Sequence, residues 1–243
     1  MRILLMLMLW GAAFNGFAGQ PQINVGPLFD YLPAGSGNLL KRIRNTGDGT
    51  AYVRVEVTRM QFDAQGQSAE VPVDATAIAR NAAGAQGVIA SPSRLIIAAN
   101  GQQATRLVYR GARDQEQYYR LRFVPVAPTA EEFSLSEEEA RAVTGVQSAI
   151  QVFTGFGTIL FISPDNPQYD TRIDGDALHN QGNATIVLDN LRYCERANPD
   201  SCSAGILVHI RPGRSHALDM SPTQFSRYDL REGDARRSID TRR

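Results

Sequence analysis

Cys194 and Cys202 stand eight residues apart in YCERANPDSC and are the only cysteines in the chain. Thiols can ligate a metal, attack an electrophile or close a disulfide. Metal ligation calls for further ligands at set spacing, yet His179, His209 and His216 follow neither HxxxH nor HExxH. No Gly-x-Ser-x-Gly marks a nucleophilic serine. Gly155-Phe156-Gly157 sits inside an apolar run and not ahead of a helix, so it is no phosphate cradle. Glu137, Glu138 and Glu139 lack EF-hand spacing. The side chains that perform catalysis are present without the patterns that make them work, so the chain reads as a non-enzyme with no cofactor and no metal.

What remains is the hydrogen-bonding chemistry of the backbone. The stretch 148–162, SAIQVFTGFGTILFI, reads as one strand that is apolar on both faces. Alternation puts Ile150, Val152, Thr154 and Phe156 on one side and Ala149, Gln151 and Phe153 on the other. One side can serve a home core. The second side needs cover too, because a long apolar sheet edge otherwise aggregates. Two readings stand at this point: a central strand covered twice within its own fold, or a strand that attracts a partner.

The N-terminus carries Arg2, an apolar run from Ile3 to Trp10 and small residues ending Gly16-Phe17-Ala18. That pattern is a secretory signal peptide over residues 1–18. At roughly a dozen apolar residues it is shorter than the about 20 that span a membrane. The mature chain of about 225 residues has room for two domains of about 100 each. Export exposes Cys194 and Cys202 to oxidising conditions, so they read as a short-loop disulfide. Formal charge is zero, with 24 arginines against the single Lys41. Such balance leaves no overall footprint for nucleic acid or an anionic membrane. Arg236, Arg237, Arg242 and Arg243 read as a solvated, frayed tail.

The elements that position these residues are short alternating runs between turn residues, the pattern of antiparallel sandwiches. Strands are expected at 22–31, 38–45, 51–62, 88–97, 102–109 and 117–126. Residues 63–87 are expected as loop with one short strand at 69–73, and the acidic segment 129–144 as loop, with a helical turn as the alternative. Ser163-Pro164-Asp165-Asn166-Pro167 is a stiff elbow. It separates a first domain at 20–162 from a second at 168–235, whose strands are expected at 183–194, 205–211 and 225–230.

SPSRLIIAANGQQATRLVYR (91–110) and YYRLRFVPV (118–126), followed by the apolar strand, resemble the periplasmic chaperones of pilus assembly by the chaperone and usher route. The resemblance covers nearly all of the mature chain. The cysteine pair after NQGNATIVLDNLRY is similar to that of the branch assembling α-type (class 5) fimbriae. The resemblance implies an all-β protein of two immunoglobulin-like sandwiches set at an angle. It also implies donation of a strand, G1, to pilin subunits that lack their last strand, and delivery to an outer-membrane usher. Stretch 148–162 occupies the G1 position, with Ile150, Val152 and Thr154 as donated side chains and Phe156 as a fourth.

In the better-known branch two basic residues hold the pilin's terminal carboxylate. This chain departs there: residues 22–31 have no arginine and 142–162 no basic residue. Arg42, Arg120 and Arg122 are the replacement candidates, since a guanidinium fork suits a carboxylate. Solvated strand arginines, or arginines paired within the chain, are the competing reading. A self-capping dimer stays open. So does an alternative function, a pilus subunit or adhesin, although 19–26 is short for the extension such a subunit would lend.

Overall fold

The computed structural model of the chain describes residues 19–145, 153–218 and 220–242. Residues 1–18, where a signal peptide is expected, and Ile150 and Val152 lie outside these described residues.

The first sandwich runs through β1 (Ile23–Asn24), β2 (Phe29–Leu32), β3 (Asn38–Asn45), β4 (Ala51–Phe62) and β5 (Ser68–Pro72). After the helix α1 (Ala75–Ala79) it continues through β6 (Gly87–Ser91), β7 (Arg94–Ile97), β8 (Gln102–Arg110) and β9 (Gln117–Pro125). Two helices, α2 (Ala130–Phe133) and α3 (Glu137–Gly145), lead to β10 (Phe156–Ile162). One sheet has the order β1-β3-β8-β6; the facing sheet is β2-β10-β9-β4-β5, with β7 also on β4. Alternation drives the packing. Every second residue of β9, from Gln117 to Pro125, points inward, so Tyr119, Leu121 and Phe123 join Ile43, Val53, Leu107, Leu160 and Ile162 in one core.

The second sandwich holds β11 (Thr171–Asp174), β12 (Ala177–Asn180), β13 (Ile186–Glu195), β14 (Ile206–Ile210), β15 (Ser215–Ala217), β16 (Gln224–Glu232) and β17 (Ala235–Asp240). Its sheets are β11-β12-β15 and β14-β13-β16-β17 around Leu178, Ile186, Leu188 and Leu230. Cys194 and Cys202 form the expected disulfide. A loop this small stabilises by about 2 to 3 kcal/mol in the chain-entropy model.

Several expectations needed correction. The expected strand 22–31 is two strands in opposite sheets: β1 pairs with β3, and β2 runs parallel to β10. Gly26, at φ +69°, stands at the crossover with Pro27. Stretch 88–97 likewise splits into β6 and β7, because Pro92 interrupts the ladder. Residues 63–87 form β5 and also α1, whose N-cap Asp74 accepts from the Ala77 amide at 2.9 Å. The acidic segment is helical. Ser136 Oγ accepts from the Glu139 amide at 3.1 Å while the Glu139 carboxylate accepts from the Ser136 amide at 2.8 Å. That reciprocal capping box is spelled out by Ser136-Glu137-Glu138-Glu139. Of the basic tail, Arg236 and Arg237 belong to strand β17, with Arg236 on Asp229 at 2.6 Å and Arg237 on Glu232 at 3.1 Å. Edge pairing outweighed local charge there, because the carboxylates of β16 neutralise the arginines.

Candidate functional site

β10 lies between two neighbours for only part of its length. From Phe156 to Ile162 it pairs antiparallel with β9, but parallel pairing with β2 covers only Ile159 to Ile162. Among the described residues, no strand pairs with the other edge of Phe156, Gly157 and Thr158. The strand is therefore sealed at its C-terminal half and open along one edge before it.

The two faces of the sealed half are also covered differently. Leu160 and Ile162 point into the first core. Phe161 faces the second sandwich, where the His209 ring stacks on it at 4.8 Å and packs tilted against Phe29 at 4.4 Å. Tyr31 completes the group, sharing a 2.6 Å hydrogen bond with His209. Double apolarity in the sealed half, 159–162, thus follows from a first-domain core on one face and His209 of the second domain over Phe161 on the other. Burial, and secondarily Arg231, hold the His209 imidazole down at a pKa of about 4.

A second latch joins the sandwiches. The Glu116 carboxylate accepts from the Thr185 amide at 3.0 Å, from its hydroxyl at 2.5 Å and from the Tyr118 hydroxyl at 2.6 Å. Burial raises the Glu116 pKa against these hydrogen bonds. The Arg211 guanidinium rests 3.4 Å above the Phe62 ring. Nothing local foretells the Glu116 latch, because its partner lies 69 residues away.

The single lysine is structural. Lys41 points inward with Ile43 and Asn45, and its Nζ meets the Asp30 carboxylate at 2.7 Å and the Pro27 carbonyl at 2.6 Å. This buried pair ties β3 to β2, the strand that seals β10. Its signal was readable, since alternation sets Lys41 on the face of Ile43.

The carboxylate-anchor candidates do not gather at one place. Arg42 lies on the outer face of the β1-β3-β8-β6 sheet. Arg120 and Arg122 lie on the outer face of the other sheet, on β9 beside β10. They approach Glu70 at 3.6 Å and 2.6 Å, and Arg122 above all lowers the Glu70 pKa. A shallow groove of about 380 Å³ runs past Glu70, Arg120, Arg122, Gly155, Phe156 and Gly157. Arg120 Nε is buried there without a hydrogen-bond acceptor. Of the donor residues, Thr154 is exposed and Phe156 is half-buried against the first core. Among the described residues no cluster of His, Cys, Asp or Glu is placed to hold a metal, and no helix is long and apolar enough to cross a membrane.

Two immunoglobulin-like sandwiches, with an open-edged strand leading into the elbow between them, have the fold of the chaperones of fimbrial assembly. The chain is related in sequence to the fimbrial chaperones over nearly its whole length. It is 24% identical over 233 residues to the probable fimbrial chaperone EcpB of Klebsiella pneumoniae, covering 95% of this chain and 92% of that one. Against the Escherichia coli EcpB it is 23% identical over 229 residues, covering 92% and 89%. The class 5 fimbriae chaperone CfaA superposes with a TM-score of 0.55 at 17% identity, over 90% of this chain and 98% of that one. CsuC, solved in a pre-assembly complex with the tip subunit CsuE of Acinetobacter baumannii, gives 0.52 at 16% identity, over 91% and 97%. No family model matches the chain.

Proposed function

We propose that this protein is a periplasmic chaperone of fimbrial subunits, which it holds by lending them a strand and hands to an outer-membrane usher. The observation that carries the reading is the half-open β10: its edge is free at Phe156–Thr158 and closed by β2 from Ile159 onward. A pilin that lacks a strand can continue the ladder from that free edge, which is recognition by strand addition; chaperone with pilin is one of the standing examples of it. Ile150, Val152 and Thr154 are the side chains donated, and Phe156 marks where the strand passes into its own core. Each fully buried aliphatic would contribute about 1.5 to 3 kcal/mol, against a cost of association of several kcal/mol. The class 5 branch is supported by the likeness to CfaA and by the disulfide of the second domain.

Arg120, with Arg122, is the proposed anchor for the subunit's terminal carboxylate. An incoming carboxylate beside Gly155 and Gly157 would meet the end of the Arg120 side chain, whose own approach to Glu70 is long at 3.6 Å. The work is binding and release, without covalent chemistry.

Co-expression with a pilin subunit and affinity purification test the reading. The wild type should yield a stoichiometric complex; Val152→Arg should abolish it while leaving the melting temperature unchanged, and Arg120→Ala should weaken it more than Arg54→Ala. Capture that survives Val152→Arg removes the donated strand from the reading, and self-polymerisation of the chain alone would instead make it a pilus subunit.

A further inference from the structure

We propose that the outer face of the β1-β3-β8-β6 sheet is a docking surface for an acidic, extended polypeptide segment, separate from the strand-lending site. The four strands of this sheet contain no aspartate or glutamate. Their outward positions instead carry Arg42 and Arg44 on β3 and Arg106 and Arg110 on β8, all exposed. Among the described residues no ion pair joins any of the four. Arg106 and Arg110 donate only to the amide oxygens of Asn38 and Asn81.

On the opposite sheet the arginines have carboxylates of the same chain beside them. There Arg54 and Arg94 meet Glu132 at 2.7 Å and 2.9 Å, and Arg120 and Arg122 meet Glu70. A molecule of zero net charge thus keeps one sheet face neutral and leaves the other strongly cationic.

The arrangement favours carboxylates on a strand. All four cations are arginines, whose planar fork binds a carboxylate through two hydrogen bonds. Arg42 and Arg44 are two residues apart on one strand, about 6.8 Å, the interval at which an extended peptide presents alternate side chains. Leu40, 43% exposed, lies directly opposite Arg106. Half-buried Val108 and Ile89 are paired beside it. An apolar centre edged by arginine is the composition of protein interfaces, which are rich in arginine and poor in lysine.

The test uses the full mature chain and a fluorescein-labelled peptide of alternating glutamate and valine, read by anisotropy over a salt series. The peptide should bind with an affinity that falls as salt rises. Arg44→Gln, Arg106→Gln and Arg110→Gln together should weaken it about tenfold, the combined worth of three exposed charge pairs, and flatten the salt dependence. Arg54→Gln with Arg94→Gln should change nothing, and pilin capture by the triple variant should persist, which shows it folded. Val152→Arg should leave peptide affinity unaltered; loss there would put the peptide on the β10 edge and overturn the proposal. So would absence of binding, equal binding of a glutamine-for-glutamate peptide, or binding only to phosphatidylglycerol vesicles, which would make the face a membrane contact.

Discussion

The two halves of one strand live by different rules. At Leu160 and Ile162 β10 has a neighbour on each edge, a core beneath and the aromatic group of Tyr31, Phe29 and His209 above. At Phe156–Thr158 it has β9 on one edge only, and Thr154 just ahead is exposed. Apolar residues run through both halves, so hydrophobicity does not distinguish them. What separates them is where β2 stops, and β2 stops where Gly26 and Pro27 turn the chain into the other sheet.

The comparison breaks most visibly at the pin that holds β2. Lys41→Ala leaves the Asp30 carboxylate buried without its partner and should cost about 3 to 5 kcal/mol, read as a lower denaturant midpoint. If stability is unchanged, the pair does not hold the seal. Next comes the contrast within β10 itself. Leu160→Ala should cost about 2 to 5 kcal/mol through the cavity it leaves, whereas Thr154→Ala should stay within about 0.5 kcal/mol, as exposed positions do. Equal losses would erase the distinction between the halves.

The smallest effect tests the roof over Phe161. With its folded pKa held from 6.5 down to about 4, His209 stays neutral in the native state while the unfolded chain takes up a proton. The stabilisation is complete above about pH 6.5 and is lost as pH falls toward 4, since the unfolded state then binds more protons. Melting temperature should therefore fall between pH 7 and pH 5, and His209→Phe should remove that part of the slope. An unaltered slope would mean that His209 is not sealed over β10.

Local pattern made much of the first domain readable. Alternation in 51–62 and 117–126 placed β4 and β9 close to their ends, and cysteine spacing together with the expectation of export pointed to the disulfide. The capping box at Ser136–Glu139 and the inward Lys41 were present in the sequence and yielded to composition in the reading. β17 was missed because its arginines are neutralised only by β16, which no local window joins to them. Of the proposed donor residues, Ile150 and Val152 lie outside the described residues, and Thr154 stands exposed beside the open edge.

The order of residues by itself determined which stretches extend, which faces are apolar, and that catalytic constellations are missing from the motifs, because side-chain period and ligand spacing are properties of the chain. Only the tertiary structure decided that 22–31 divides between two sheets, that His209 and not a partner covers Phe161, and that one sheet's arginines are neutralised while the other's stand bare. Those outcomes depend on contacts between residues far apart in sequence, and the free energy of such contacts exists only once the strands have been brought side by side.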